Sequence, residues 1–260
     1  MLADITWLEL RLRRRSTIGY AAGMALYTLV VVALYPSFKN STSLNGLSGS
    51  TAAALFGVTG PLTSPGGWLT GNIYGNFFPL IMLLLTIGYG AASLAGQDEE
   101  GTLALLTVLP VRRRAILFQK AGAMALQALV LAAAVTVCVF AGRGFELTIS
   151  PGAAIGSAVA LVLMGLDFGL VTMAVGAGTG RRGTALGIGA GLAAVSYLLS
   201  SLASTISWIH PGRYLSLFYW SVGNDQITKG VTASDFAVLI AVGLGALAAA
   251  VITFRRADLN

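Results

Sequence analysis

The sequence holds one cysteine and one histidine, and only 10% of its residues are charged. Each scarcity excludes a class of chemistry. Cys138 lies within an apolar run, so no disulfide framework exists. His210 has no second histidine to complete an HExxH zinc site. None of Lys39, Lys120 and Lys229 follows a glycine, so the Gly-Lys-Ser/Thr of a P-loop is absent and the chain cannot bind ATP that way. No GxSxG serine is present. Asp167 is the one acid deep in an apolar run, and an intramembrane aspartyl protease needs two. The chain is therefore expected to be non-catalytic, with no cofactor or metal of its own.

What is present is apolar. Hydrophobic residues make up 56% of the chain, with 33 glycines and a mean hydropathy of +0.80. That profile belongs to an all-α integral membrane protein, read here as one domain over residues 1–260. The net charge of +6 would suggest nucleic acid in a soluble chain. Here the basic residues sit at the ends of apolar segments, where they set topology, and no nucleic-acid partner is implied.

Six spans are expected, at about 17–35, 73–95, 115–141, 151–175, 184–206 and 235–254. Ahead of the first, Leu2 to Arg15 reads as an amphipathic helix lying on the inner surface. Trp7, Leu8 and Leu12 give it an apolar side, and Arg11 and Arg13 to Arg15 face anionic lipid. Pro36 to Asn72 reads as an external loop, and Pro79 is positioned to kink the second span. Pro151 suits the first turn of the fourth span. Twelve basic residues fall in the inner segments. Only Lys39, Arg143, Arg213 and Lys229 fall in the outer ones, so both termini are expected in the cytoplasm. Small-xxx-small stripes (Gly152/Gly156, Gly165/Gly169, Gly183/Gly187/Gly191) predict that the fourth and fifth spans are buried among helices.

The segment from Gln97 to Arg114, QDEEGTLALLTVLPVRRR, stands apart. Its acids suit a helix start, its leucines crowd into about two turns, Pro110 stops the helix, and three arginines follow. A helix so short cannot span a bilayer, and one so oily needs a groove to lie in; an interfacial turn on lipid headgroups is the other option.

These residues carry a resemblance. DEEGTLALLTVLPVRRR is similar to the loop between the second and third spans in membrane subunits of ABC-2 type exporters, and FRRADL resembles their ending. Layout extends the likeness to the whole chain, though the sharp motifs cover about 25 residues, and the drug- and antibiotic-export branch is nearest. Three arginines after Pro110-Val111, where a serine often stands, depart from the pattern. The resemblance implies a permease that moves a hydrophobic or amphipathic substrate out of the cytoplasm across a bacterial inner membrane. Its short helix would be a coupling helix docked on a separate cytosolic ATPase, in two copies, which holds the ATP and Mg. A second permease, identical or different, would complete the pathway. Asp98, Glu99, Glu100, Gly101, Thr102, Leu103, Leu106, Arg112, Arg113 and Arg114 would form the docking element, with Glu99 or Glu100 anchoring the loop to an arginine or to neighbouring cytosolic helix ends and the arginines facing ATPase acids or lipid phosphate.

Two further sites are expected. Asp167 should be held by Lys120, by Gln127 or by both across the third and fourth spans, as a helix clamp or as a polar contact in the pathway. Trp208, Tyr214, Phe218 and Trp220 form either an interfacial aromatic belt or, by the resemblance, an outer gate. The rival functions are an ATP-independent secondary transporter, which would show repeated halves and midplane charges, and a structural or assembly partner.

Overall fold

The computed structural model describes residues 4–41, 61–101, 113–203, 206 and 208–256. Among these, six helices are long and apolar enough to cross a membrane. We label them α1 (Asp4–Phe38), α2 (Pro65–Glu99), α3 (Arg113–Ala141), α4 (Pro151–Thr179), α5 (Arg182–Ala203) and α6 (Ala233–Arg256).

Two expected boundaries change. The basic N-terminal stretch and the first span form one unbroken helix, so no separate surface helix precedes α1. Nothing between Arg15 and Gly19 forces a break. The Thr17 hydroxyl bonds back to the Arg13 carbonyl at 3.1 Å, and the start of α1 is fastened to α3. There the Ile5 N–H donates to Gln119 Oε1 and Thr6 Oγ1 donates to the Gln119 carbonyl, both at 3.1 Å.

The second span begins at Pro65, inside what composition read as loop. Ser64 caps it, its Oγ accepting from the Gly67 N–H at 3.1 Å, and Pro65 sits where a missing N–H costs nothing. The indole of Trp68 then donates to the Val31 carbonyl at 3.0 Å, binding α2 to α1. The residues that looked loop-like widen the helix instead of ending it. Thr70–Phe77 is π-helical; Asn72 Nδ2 reaches the Trp68 carbonyl at 2.9 Å and Asn76 Nδ2 the Gly71 carbonyl at 2.7 Å. Side-chain amides thus satisfy carbonyls that the wider turn leaves open, immediately before Pro79 removes a backbone donor. A second π turn, Ala92–Gly96, lies near the far end of α2.

α4 is the central helix and packs against α2, α3, α5 and α6. It starts on a Ser150 cap with Pro151 following and ends at Gly180, whose φ of 63° closes the last turn. Its middle approaches α2 closely enough that a Cβ on Gly165 would lie 2.6 Å from Met82. The Gly165/Gly169 stripe therefore does pack helices, as expected. The α5 stripe does not. A Cβ on Gly183, Gly187 or Gly191 would meet nothing within 4 Å, and α5 reaches α4 through Gly189, against Thr172. The fifth span is thus open along one side: 28% of its apolar window is buried, against 72% for α4.

The core has two apolar clusters stacked along the bundle. One centres on Tyr74, Phe78, Leu131, Leu161 and Phe168, the other on Tyr89, Leu117, Met124, Met173 and Phe254. Gln127 and Asp167 sit at the junction, since Ala128 and Phe168 belong to the first cluster and Met124 and Leu170 to the second.

Candidate functional site: a polar loop end and an apolar groove

At the bundle end where α2 finishes at Glu99, three polar side chains from three helices meet. Lys120 of α3 donates to Glu9 Oε1 of α1 at 2.6 Å and to Gln97 Oε1 of α2 at 2.7 Å. Gln97 Nε2 closes the ring onto Glu9 Oε1 at 3.1 Å. The Lys120 side chain is 0% exposed and that of Glu9 5%. Arg13, one turn beyond Glu9, adds a second cation 3.6 Å from Oε2, and its guanidinium lies 4.5 Å from the centre of the Tyr89 ring. Burial on this scale is tolerated because each charge is paired and hydrogen-bonded.

This arrangement corrects the expected Asp167 clamp. Lys120 is committed to Glu9 and Gln97, and neither it nor Gln127 bonds Asp167 among the described residues. Asp167 is buried and lies against α6, where a Cβ on Gly243 would stand 2.6 Å from Oδ1. Its Oδ2 and the Gln127 Nε2 have no hydrogen-bond partner among the described residues. Rise along the helix put Asp167 and Lys120 within reach, but the direction of each side chain sent them to different neighbours.

Of the expected docking element, Thr102, Leu103, Leu106 and Arg112 lie outside the described residues, as does the short helix expected there. Arg113 opens α3 and Arg114 is exposed. Asp98 is half-buried, and Glu99, Glu100 and Gly101 are exposed, with Gly101 at φ 66°. Glu99 is engaged within the chain at a neighbouring helix end: its Oε1 accepts from the Arg182 N–H at 2.9 Å. That N–H is one of the unsatisfied donors at the start of α5, where a carboxylate also suits the helix dipole.

A groove of about 780 Å³ opens between α2 and α5. Leu80, Leu84 and Gly88 line one wall, Leu186, Ala190 and Ala194 the other, and Phe218 lies at one end. Its wall is almost wholly hydrocarbon, so it can hold an apolar body but supplies no group for covalent chemistry.

The segment between α5 and α6 folds back over that end. Ser216 Oγ donates to the Ser196 carbonyl at 2.6 Å, and the Leu217 N–H donates to Ser196 Oγ at 3.1 Å. This turns Phe218 inward against Tyr197 and Phe168. The four expected aromatics therefore separate: Phe218 is buried at the groove, Trp220 is half-buried, and Tyr214 and Trp208 are exposed. Arg213 stacks on Tyr214 and Tyr219 and bonds the Tyr214 hydroxyl at 2.8 Å. Burial raises the Tyr219 pKa above its ordinary value although Arg213 pulls it down, so that phenol stays neutral.

Glu9 and Gln97 were not singled out in the sequence. The available signal was an acid four residues before Arg13 and a lysine one turn inside an apolar run, each needing an opposite partner.

A family model described as ABC-2 family transporter protein matches residues 3–259. No curated protein matches the chain. Six apolar helices and that match across nearly the whole length agree: this chain belongs to the ABC-2 family of transporter proteins, as a multi-pass membrane component.

Proposed function

We propose that the chain is the permease subunit of an ATP-driven exporter in a bacterial inner membrane, with both termini in the cytoplasm. The groove between α2 and α5 carries this reading. It is open to one side, lined by hydrocarbon and large enough for a drug-sized molecule, so it suits a hydrophobic or amphipathic substrate, as in drug and antibiotic efflux. With no P-loop in the chain, the energy comes from a separate cytosolic ATPase, present in two copies with ATP and Mg. The leucines of 102–112 lie in its surface groove. A second permease, the same or different, packs along α5, whose outward glycines leave room for a close helix.

Copurification tests the reading. The wild-type chain brings down a P-loop ATPase, and Leu106→Asp does not, while inserting at the wild-type level. A charge in an apolar groove forfeits about 1.5–3 kcal/mol of burial and adds desolvation. Undiminished ATPase recovery with Leu106→Asp refutes the docking role.

A further inference from the structure

The start of α1 sorts its side chains by face. Ile5, Thr6 and Glu9 turn to α3, where Gln119 and Lys120 hold them, and Arg13 turns with Glu9, 3.6 Å from its Oε2. Arg11 and Arg14 point the other way. Both are exposed, and no acid pairs with either among the described residues. They share a face with exposed Trp7 and Ile18, at i, i+4, i+7 and i+11. Beside that face is a groove of about 740 Å³, lined among the described residues by Trp7, Leu8, Leu10, Arg11 and Arg14. Leu10 also packs on the second apolar cluster, so the groove is fixed to the bundle.

Depth decides what fills it. Thr6 and Glu9 touch α3 at Gln119 and Lys120, so Trp7 and Leu8 lie at a level where α3 has already turned apolar and exposes Phe118. Side chains on a helix lean toward its N-terminus, which carries both guanidinium groups back toward the level of Trp7. Cations and an indole at one level, with hydrocarbon beyond, match the headgroup boundary of a bilayer. A soluble anion or an acidic protein would have to enter that layer, whereas a phospholipid already lies in it.

We propose that this groove binds one anionic phospholipid, its phosphate forked between Arg11 and Arg14 and its acyl chains running along α1 past Ile18. The site needs the bundle in a bilayer. It needs neither an ATPase nor a transported substrate, so it stands apart from the permease reading.

Native mass spectrometry of the detergent-purified chain, titrated with phosphatidylglycerol or phosphatidylcholine of matched acyl chains, tests this. Wild type holds one phosphatidylglycerol about 30-fold more tightly than phosphatidylcholine, the preference expected of two arginines at a membrane surface. Arg11→Gln/Arg14→Gln abolishes the preference. Arg14→Gln alone lowers it about fivefold and serves if the double variant does not fold. Arg15→Gln/Arg181→Gln removes the same charge from exposed positions outside the groove and keeps the preference. A full preference in the Arg11/Arg14 variant overturns the proposal. So does an equal loss in the Arg15/Arg181 variant, which would mean a general charge effect. Displacement of the lipid by excess inorganic phosphate would make this a soluble-anion site and overturns the proposal too.

Discussion

Replacing Lys120 by methionine removes one half of a buried ion pair and keeps the length of the side chain. Breaking such a pair from one side costs about 3–5 kcal/mol, because the charge left behind stays desolvated. The two halves are not equivalent. Without Lys120, Glu9 keeps the Gln97 amide at 3.1 Å and Arg13 at 3.6 Å, so Lys120→Met belongs near the lower end, about 3 kcal/mol. Without the Glu9 carboxylate, Lys120 keeps a cation in a fully buried position with only neutral oxygens around it, so Glu9→Gln belongs higher in the range. The double variant removes both charges and recovers most of the loss, since exchanging a whole buried pair for neutral groups is often close to neutral. Equilibrium unfolding in mixed micelles of increasing denaturing detergent, run as a double-mutant cycle, measures all three. Single variants within about 0.5 kcal/mol of wild type, as for substitutions on an open surface, or strictly additive effects, would refute the view that this knot is dry and coupled.

Two shorter predictions follow from the same geometry. Gly243→Ala puts a methyl 2.6 Å from Asp167 Oδ1 and lowers the folded yield; Asp167→Ala in the same chain restores it by emptying that space, and a failure of restoration places the clash elsewhere. A cysteine at Ser43 reacts with an impermeant thiol reagent added from outside and one at Arg181 does not, with the buried Cys138 silent in both; reversed labelling overturns the orientation.

The number and order of the membrane helices could be read directly from the chain, because a span must satisfy its own backbone and show lipid an apolar surface. The start of the fourth span was legible for a local reason: Pro151 acts through its own backbone, whereas its end at Thr179 lies beyond the expected 175. The loop signature was legible as residues in sequence, and the family match bears out the membership it suggested. Pro65 to Asn72 misled, since Gly and Asn look like loop until side-chain amides and a widened turn are seen to absorb them.

Tertiary structure alone decided the partners. Helical rise placed Lys120 and Asp167 at neighbouring depths, but a polar group in an apolar bundle goes to whatever opposite charge its helix face presents. For Lys120 that was Glu9 of α1, 111 residues away. Nor could spacing say which glycine stripe would be used: Gly165 and Gly169 press on α2 and α3, while Gly183, Gly187 and Gly191 share the same period and face away from the chain. Periodicity fixes which residues share a face, and only the packing of the other helices decides what that face meets.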